Sequence, residues 1–117
     1  MTDTGRVICA SGDLAEAGRG VRFEVEFRGG LAAAFAVRHE GRVHAYLNRC
    51  SHVAMELDWQ PGAFFDAEGR DLICSTHGAV YSASSGKCLG GPCSGPLVKL
   101  AVEERDGFIV FKEPSDG

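Results

Sequence analysis

Two pairs of metal-seeking side chains constrain this chain more than anything else in it. Cys50-Ser51-His52 is followed, after twenty-one residues, by Cys74-Ser75-Thr76-His77-Gly78. Each pair sits in a tight loop. Together they offer two thiolates and two imidazoles, recurrent ligands of zinc and of the iron in iron–sulfur clusters. A single zinc knuckle usually takes like with like, Cys-x2-4-Cys or His-x3-5-His, because one short loop wraps one ion. Here each loop supplies one sulfur and one nitrogen. That pairing suits two metals side by side, with both cysteines on one iron and both histidines on the other. A mononuclear zinc site is the alternative reading.

The rest of the pattern supplies a β scaffold for those two loops. Val21 to Phe27 alternates apolar and polar residues over seven positions, the signature of a strand with one buried face. Val7 to Ala10 reads as an edge strand. Gly29-Gly30 turns the chain into a strand from Leu31 to His39, and Glu40-Gly41 turns it back through Arg42 to Leu47. Ala32-Ala33-Ala34 favours helix by propensity, but it lies between two turn signals, so strand is expected. Asp71 to Ile73 is a short strand delivering Cys74, and Ala79 to Tyr81 leads away from His77. Gly90 to Pro96 is too rich in glycine and proline to be anything but loop. Val98 to Glu104 alternates again, Arg105-Asp106-Gly107 turns, and the apolar run Phe108 to Phe111 closes the sheet. A helical turn is expected only near Asp13 to Ala17 or Val53 to Leu57. These short runs with recurrent turns describe an all-β antiparallel sandwich or barrel, with the ligands on loops at strand ends.

These residues carry a resemblance to small soluble Rieske proteins, covering roughly Ile8 to Lys112. The resemblance implies a Rieske-like β-sandwich or barrel with a cluster-binding subdomain of two loops, in about residues 48–96 of a single domain over 1–117. It also implies one [2Fe-2S] cluster per chain, with Cys50 and Cys74 on the inner iron and His52 and His77 on the outer iron. Two departures accompany it. The gap between His52 and Cys74 is longer than in compact Rieske ferredoxins, which implies a longer hairpin through Pro61-Gly62-Ala63-Phe64-Phe65. The loop-bridging disulfide of the cytochrome bc members is absent, since Met55 and Ser75 or Thr76 stand where its cysteines would be. Gly90 to Pro96 resembles the loop that covers the cluster in this family. Tyr81 stands where relatives carry a tyrosine whose hydroxyl donates to a ligand sulfur, and Ala79 where high-potential members carry serine. With a negative net charge as well, the expected reduction potential is low to intermediate within the Rieske span of about −150 to +300 mV.

The function the resemblance implies is that of a Rieske-type ferredoxin, a one-electron carrier taking electrons from a flavin reductase and passing them to an oxygenase. It would be a component of an oxidoreductase system, with no catalytic residues of its own. The alternative is a redox-sensing or accessory subunit of a larger complex. A terminal oxygenase needs a second iron on two histidines and a carboxylate, and only His39 and His44 remain for it. At 117 residues the chain has room for one core. Its net charge of −4 presents no basic field for nucleic acid or anionic membrane. The opening residues lead into a strand-like run without a signal-type apolar segment, and no apolar run is long enough to span a membrane, so a soluble, cytoplasmic protein is expected. Five cysteines, an odd number, fit a reducing compartment. In that setting Cys88 and Cys93 are expected as free thiols, with a small-loop disulfide or a thiol switch as the alternative, and Cys9 as a buried inert one. His39 and His44 read as surface or hydrogen-bonded imidazoles. Trp59, Phe64 and Phe65 read as core or cluster-shielding aromatics.

Overall fold

Alternation within strands and glycine at the turns produce ten strands in the computed structural model, which describes residues 5–27, 29–49, 57, 62–66, 68–74, 78–91 and 95–112. In order they are β1 (Gly5–Ala10), β2 (Val21–Phe27), β3 (Gly30–His39), β4 (Arg42–Leu47), β5 (Asp71–Ile73), β6 (Val80–Ser82), β7 (Cys88–Gly90), β8 (Lys99–Leu100), β9 (Val102–Arg105) and β10 (Phe108–Lys112). A 3-10 turn at Ser11–Asp13 is the one helical element among the described residues. It shares only Asp13 with the expected 13–17 turn, whose remainder is not helical because Glu16 bridges to Arg38 and Ala17 N–H donates to Arg38 O at 2.8 Å. The other expected turn, 53–57, lies outside the described residues apart from Leu57.

The strands form three antiparallel sheets, ordered β1-β10-β9, β2-β3-β4-β8 and β5-β6-β7. The fold is therefore all-β, as the sequence implies. The four-stranded sheet lies between the other two, so β3 and β4 are buried on both faces. Ala34, Ala36, Ala45 and Leu47 point one way, into cores shared with Val25, Ile109 and Phe111 of the first sheet and of β2. Phe35, Val37 and Tyr46 point the other way, into a core shared with Leu57, Phe64, Leu72, Cys74, Tyr81 and Leu97. The alternation in β3 is thus one of size, small against large, because both faces are apolar. This is why the alanine run is strand.

Two differences from the sequence reading have physical causes. The alternating run 98–104 is broken at Ala101, because Lys99–Leu100 pairs with β4 while Val102–Arg105 pairs with β10. Cys88–Gly90 is a strand, since Val80 and Tyr81 of β6 supply its ladder partners despite its glycine. Residues 64–66 and 71–73 pair as a hairpin. Phe65 pairs with Leu72, Ile73 N–H donates to Phe64 O at 2.9 Å, and Asp66 N–H donates to Asp71 O at 2.8 Å. Phe64 stacks on Phe35 with ring centroids 3.9 Å apart, which is the core role expected of it. The close approach depends on Gly20, where a Cβ would fall 2.7 Å from the Phe64 ring.

Arg38 ties the base together. It donates to Leu14 O at 2.8 Å and Ser11 O at 3.1 Å, and it grips both Glu104 oxygens at 2.7 and 3.1 Å. The fork geometry holds the Glu104 carboxyl down to about 2. No helix among the described residues is long and apolar enough to cross a membrane.

Candidate metal centre

The expected ligand positions follow the end of β4 and the end of β5 in the chain. β5 ends at Ile73, and Cys74 follows as a free cysteine with 0% exposure. Its N–H donates to Ala79 O at 2.8 Å, and its carbonyl accepts from Gly78 N–H at 2.8 Å. The 74–79 loop is therefore closed on itself before β6 carries the chain away. Cys74 packs in one core with Leu72, Ala79 and Tyr81, so its sulfur sits in an apolar surround. Of the four expected ligands it is the one described; Cys50, His52 and His77 lie outside the described residues. Among the described residues no group of three metal-ligating side chains comes together.

The first loop is fixed at both ends. β4 stops at Leu47, and Asn48 N–H donates to Ala33 O at 2.8 Å, anchoring the exit to β3. Asn48 Oδ1 accepts from Leu57 N–H at 2.8 Å, so the chain from 48 to 57 is a closed loop. Leu57 is wholly buried in the core that holds Cys74. Both ligand loops are therefore referenced to one packed cluster.

The covering segment is equally constrained. Gly91 has φ +81°, and a Cβ there would lie 2.7 Å from Gly78 O and 2.9 Å from Ala79 Cα. The backbone at Gly91 thus presses directly on the backbone of Gly78 and Ala79, as only glycine permits. Beyond it, Leu97 N–H donates to Gly86 O at 2.8 Å and Leu47 N–H to Val98 O at 3.0 Å, returning the segment to β4. Tyr46 supports the floor, donating its hydroxyl to Ala83 O at 2.7 Å, and burial pushes its phenol above the usual range. Lys99 lies over the same ring and donates to Ser84 O at 2.8 Å.

Other sequence candidates resolve individually. Tyr81 and Ala79 are both buried beside Cys74, positions that suit the roles the resemblance implies. Burial raises the Cys9 thiol above its ordinary range, so it is little ionised at neutral pH, in keeping with an inert role. His39 stacks on Phe65, and the imidazole of His44 is pushed down by burial and then by Lys99. The expectation of a free thiol at Cys88 is corrected, because Cys88 is disulfide-bonded. The compartment argument concerned the redox setting alone, and at Cys88 the disulfide alternative holds. Cys93 and Trp59 lie outside the described residues. Sequence reading missed Asn48, Leu57 and Gly91. An asparagine directly before a ligand loop and a glycine opening the covering loop were the available signals.

The described scaffold is all-β, and a wholly buried cysteine follows β5 within its apolar core. The profile of the Rieske [2Fe-2S] domain matches residues 5–102, and the chain belongs to that family. The group that family carries is a [2Fe-2S] cluster. No curated protein matches the sequence. Among solved structures, the fold is similar to the ferredoxin of carbazole 1,9a-dioxygenase from Nocardioides aromaticivorans IC177, at 23% identity and TM-score 0.71, over 95% of this chain and 99% of that one. It is similar to a ferredoxin of Sphingomonas yanoikuyae B1 at 20% identity and TM-score 0.73, over 93% and 98%. The terminal oxygenase of carbazole 1,9a-dioxygenase from Novosphingobium sp. KA1 shares the fold at 22% identity and TM-score 0.71, over 97% of this chain but 31% of that one.

Proposed function

We propose that the chain is a Rieske-type ferredoxin, a one-electron carrier between a flavin reductase and an oxygenase. The carrying observation is coverage. The chain aligns with ferredoxins along nearly the full length of both partners, whereas it aligns with less than a third of the oxygenase. A complex of reduced oxygenase and oxidized ferredoxin in carbazole 1,9a-dioxygenase is also among the similar structures, which supports an oxygenase as acceptor.

In this reading Cys50 and Cys74 hold the inner iron and His52 and His77 the outer one. The donor set fits the group, since two thiolates and two imidazoles are what a mixed-ligand [2Fe-2S] centre takes. A wholly buried Cys74 suits an inner ligand. The cluster, when bound, supplies a one-electron couple. The chain's own residues do the rest. Cys74 is tied to Gly78 and Ala79 by backbone hydrogen bonds, Gly91 packs against those two residues, and the apolar core around Cys74 excludes water and limits rearrangement.

The second reading, a redox-sensing or accessory subunit, draws on the Cys88 disulfide beside the covering segment. One assay separates the two. A flavin reductase with NADH should reduce the loaded protein, which should pass electrons to cytochrome c at a rate proportional to its concentration. Cys74→Ala should abolish that rate, and Cys88→Ser should leave it intact. A loaded protein that adds nothing to cytochrome c reduction would overturn the carrier, and a rate that depends on Cys88 would favour the sensor.

A further inference from the structure

Asn48 stands alone among the described residues as a buried polar or charged side chain, with 3% exposure. Burying a carboxamide costs free energy unless its polar atoms are paired, and an apolar residue of like size would fill the same space more cheaply. This one sits two positions before Cys50. Its main chain is pinned to β3 through Ala33 O at 2.8 Å, and its Oδ1 accepts the Leu57 N–H at 2.8 Å. Leu57 in turn is locked into the core that contains Cys74, Tyr81 and Leu97. That side-chain hydrogen bond ties residue 48 to residue 57 on either side of Cys50 and His52, and Leu57 shares its core with Cys74.

We propose that Asn48 is a positioning residue, whose carboxamide closes the first ligand loop and thereby sets the geometry in which Cys50 and His52 meet the cluster. The proposal rests on the assignment of those two residues as ligands. Leu57, which seeks the core on its own account, fixes one end by packing. Asn48 converts that packing into a defined loop length by giving the Leu57 N–H a buried acceptor. Without it, that N–H would be left unpaired beside an apolar cluster, and the loop would relax to find water.

The test compares Asn48→Leu, which keeps volume and removes the acceptor, with Asn48→Asp, which keeps an acceptor oxygen in the same place. Three measurements are made on the holoprotein: cluster bleaching under excess EDTA, hydrogen exchange of a peptide ending at Leu57, and the g-values of the reduced centre. Asn48→Leu should bleach about tenfold faster, lose exchange protection at Leu57 and shift the g-values, while Asn48→Asp should stay within about threefold of native in bleaching and keep its protection. A role in core packing alone would leave the exchange and g-values of Asn48→Leu native. That result overturns the proposal, as does an Asp variant no better than Leu. Iron and labile sulfide content of the unmodified protein reads the ligand assignment separately. If that fails, the exchange measurement still decides whether Asn48 closes the loop.

Discussion

Replacing Gly91 by alanine should loosen the cover of the second ligand loop, and the size of the effect follows from two terms. The first is backbone strain. At φ +81° an L side chain sits in a left-handed conformation that costs roughly 1–2 kcal/mol. The second is overlap, because the new Cβ would lie 2.7 Å from Gly78 O and 2.9 Å from Ala79 Cα. Both are backbone atoms, and Ala79 is fixed by its bond to the Cys74 N–H. No rotamer relieves the contact, so the covering segment must move, at about 1–2 kcal/mol more. The total is about 2–4 kcal/mol, which for a chain of 117 residues lowers the melting midpoint by roughly 8–16 °C. Differential scanning calorimetry of the holoprotein measures it, with chelator bleaching as a second readout. Gly90→Ala is the control, because no atom lies within 4 Å of its Cβ and its φ is not in the left-handed region. It should change stability by less than about 0.5 kcal/mol. Equal melts for Gly91→Ala and Gly90→Ala would refute the claim that the covering segment is held by direct backbone contact.

Glu104→Gln should remove the charge-assisted grip of Arg38. The folded carboxyl titrates at about 2, below its ordinary 4.5, so its contribution is complete above pH 4.5 and is lost as pH falls toward 2. With the Glu104 side chain 37% exposed, screening reduces the effect to about 1 kcal/mol at pH 7. Urea titrations of the two proteins should therefore differ at pH 7 and converge by pH 2. Tyr46→Phe leaves the buried Ala83 carbonyl without its 2.7 Å donor and should cost about 1–1.5 kcal/mol, or roughly 4–6 °C in thermal melts. Cys74→Ala should lose the cluster and its visible absorbance, whereas Cys9→Ala, which removes a half-buried thiol of the base, should keep both.

The strands with one wet face were legible from sequence to within a residue, as Val21–Phe27 shows, because polarity itself alternates there. β3 was harder, since Ala34 and Ala36 face one core and Phe35 and Val37 another. Its turns rather than its pattern identified it. The break at Ala101 leaves no local trace, because it arises from a strand changing partners between two sheets. The strand before Cys74 was readable, since Asp71–Ile73 is a short apolar run that the sequence marks clearly. What fixes the loops was not. The Asn48 bond to Leu57 spans the first loop, and Gly91 meets Gly78 only after the β6–β7 hairpin closes. A disulfide at Cys88 was legible only as the alternative to free thiols, because cysteine count and compartment do not settle pairing.

The central claim, that two Cys-His loops carry one mixed-ligand iron–sulfur cluster, is tested most directly by metal and sulfide analysis joined to electron paramagnetic resonance of the reduced protein. The account predicts two irons and two acid-labile sulfides per chain, as the family's [2Fe-2S] centre requires, with an average g below that of an all-cysteine cluster. One zinc per chain with no labile sulfide would contradict it.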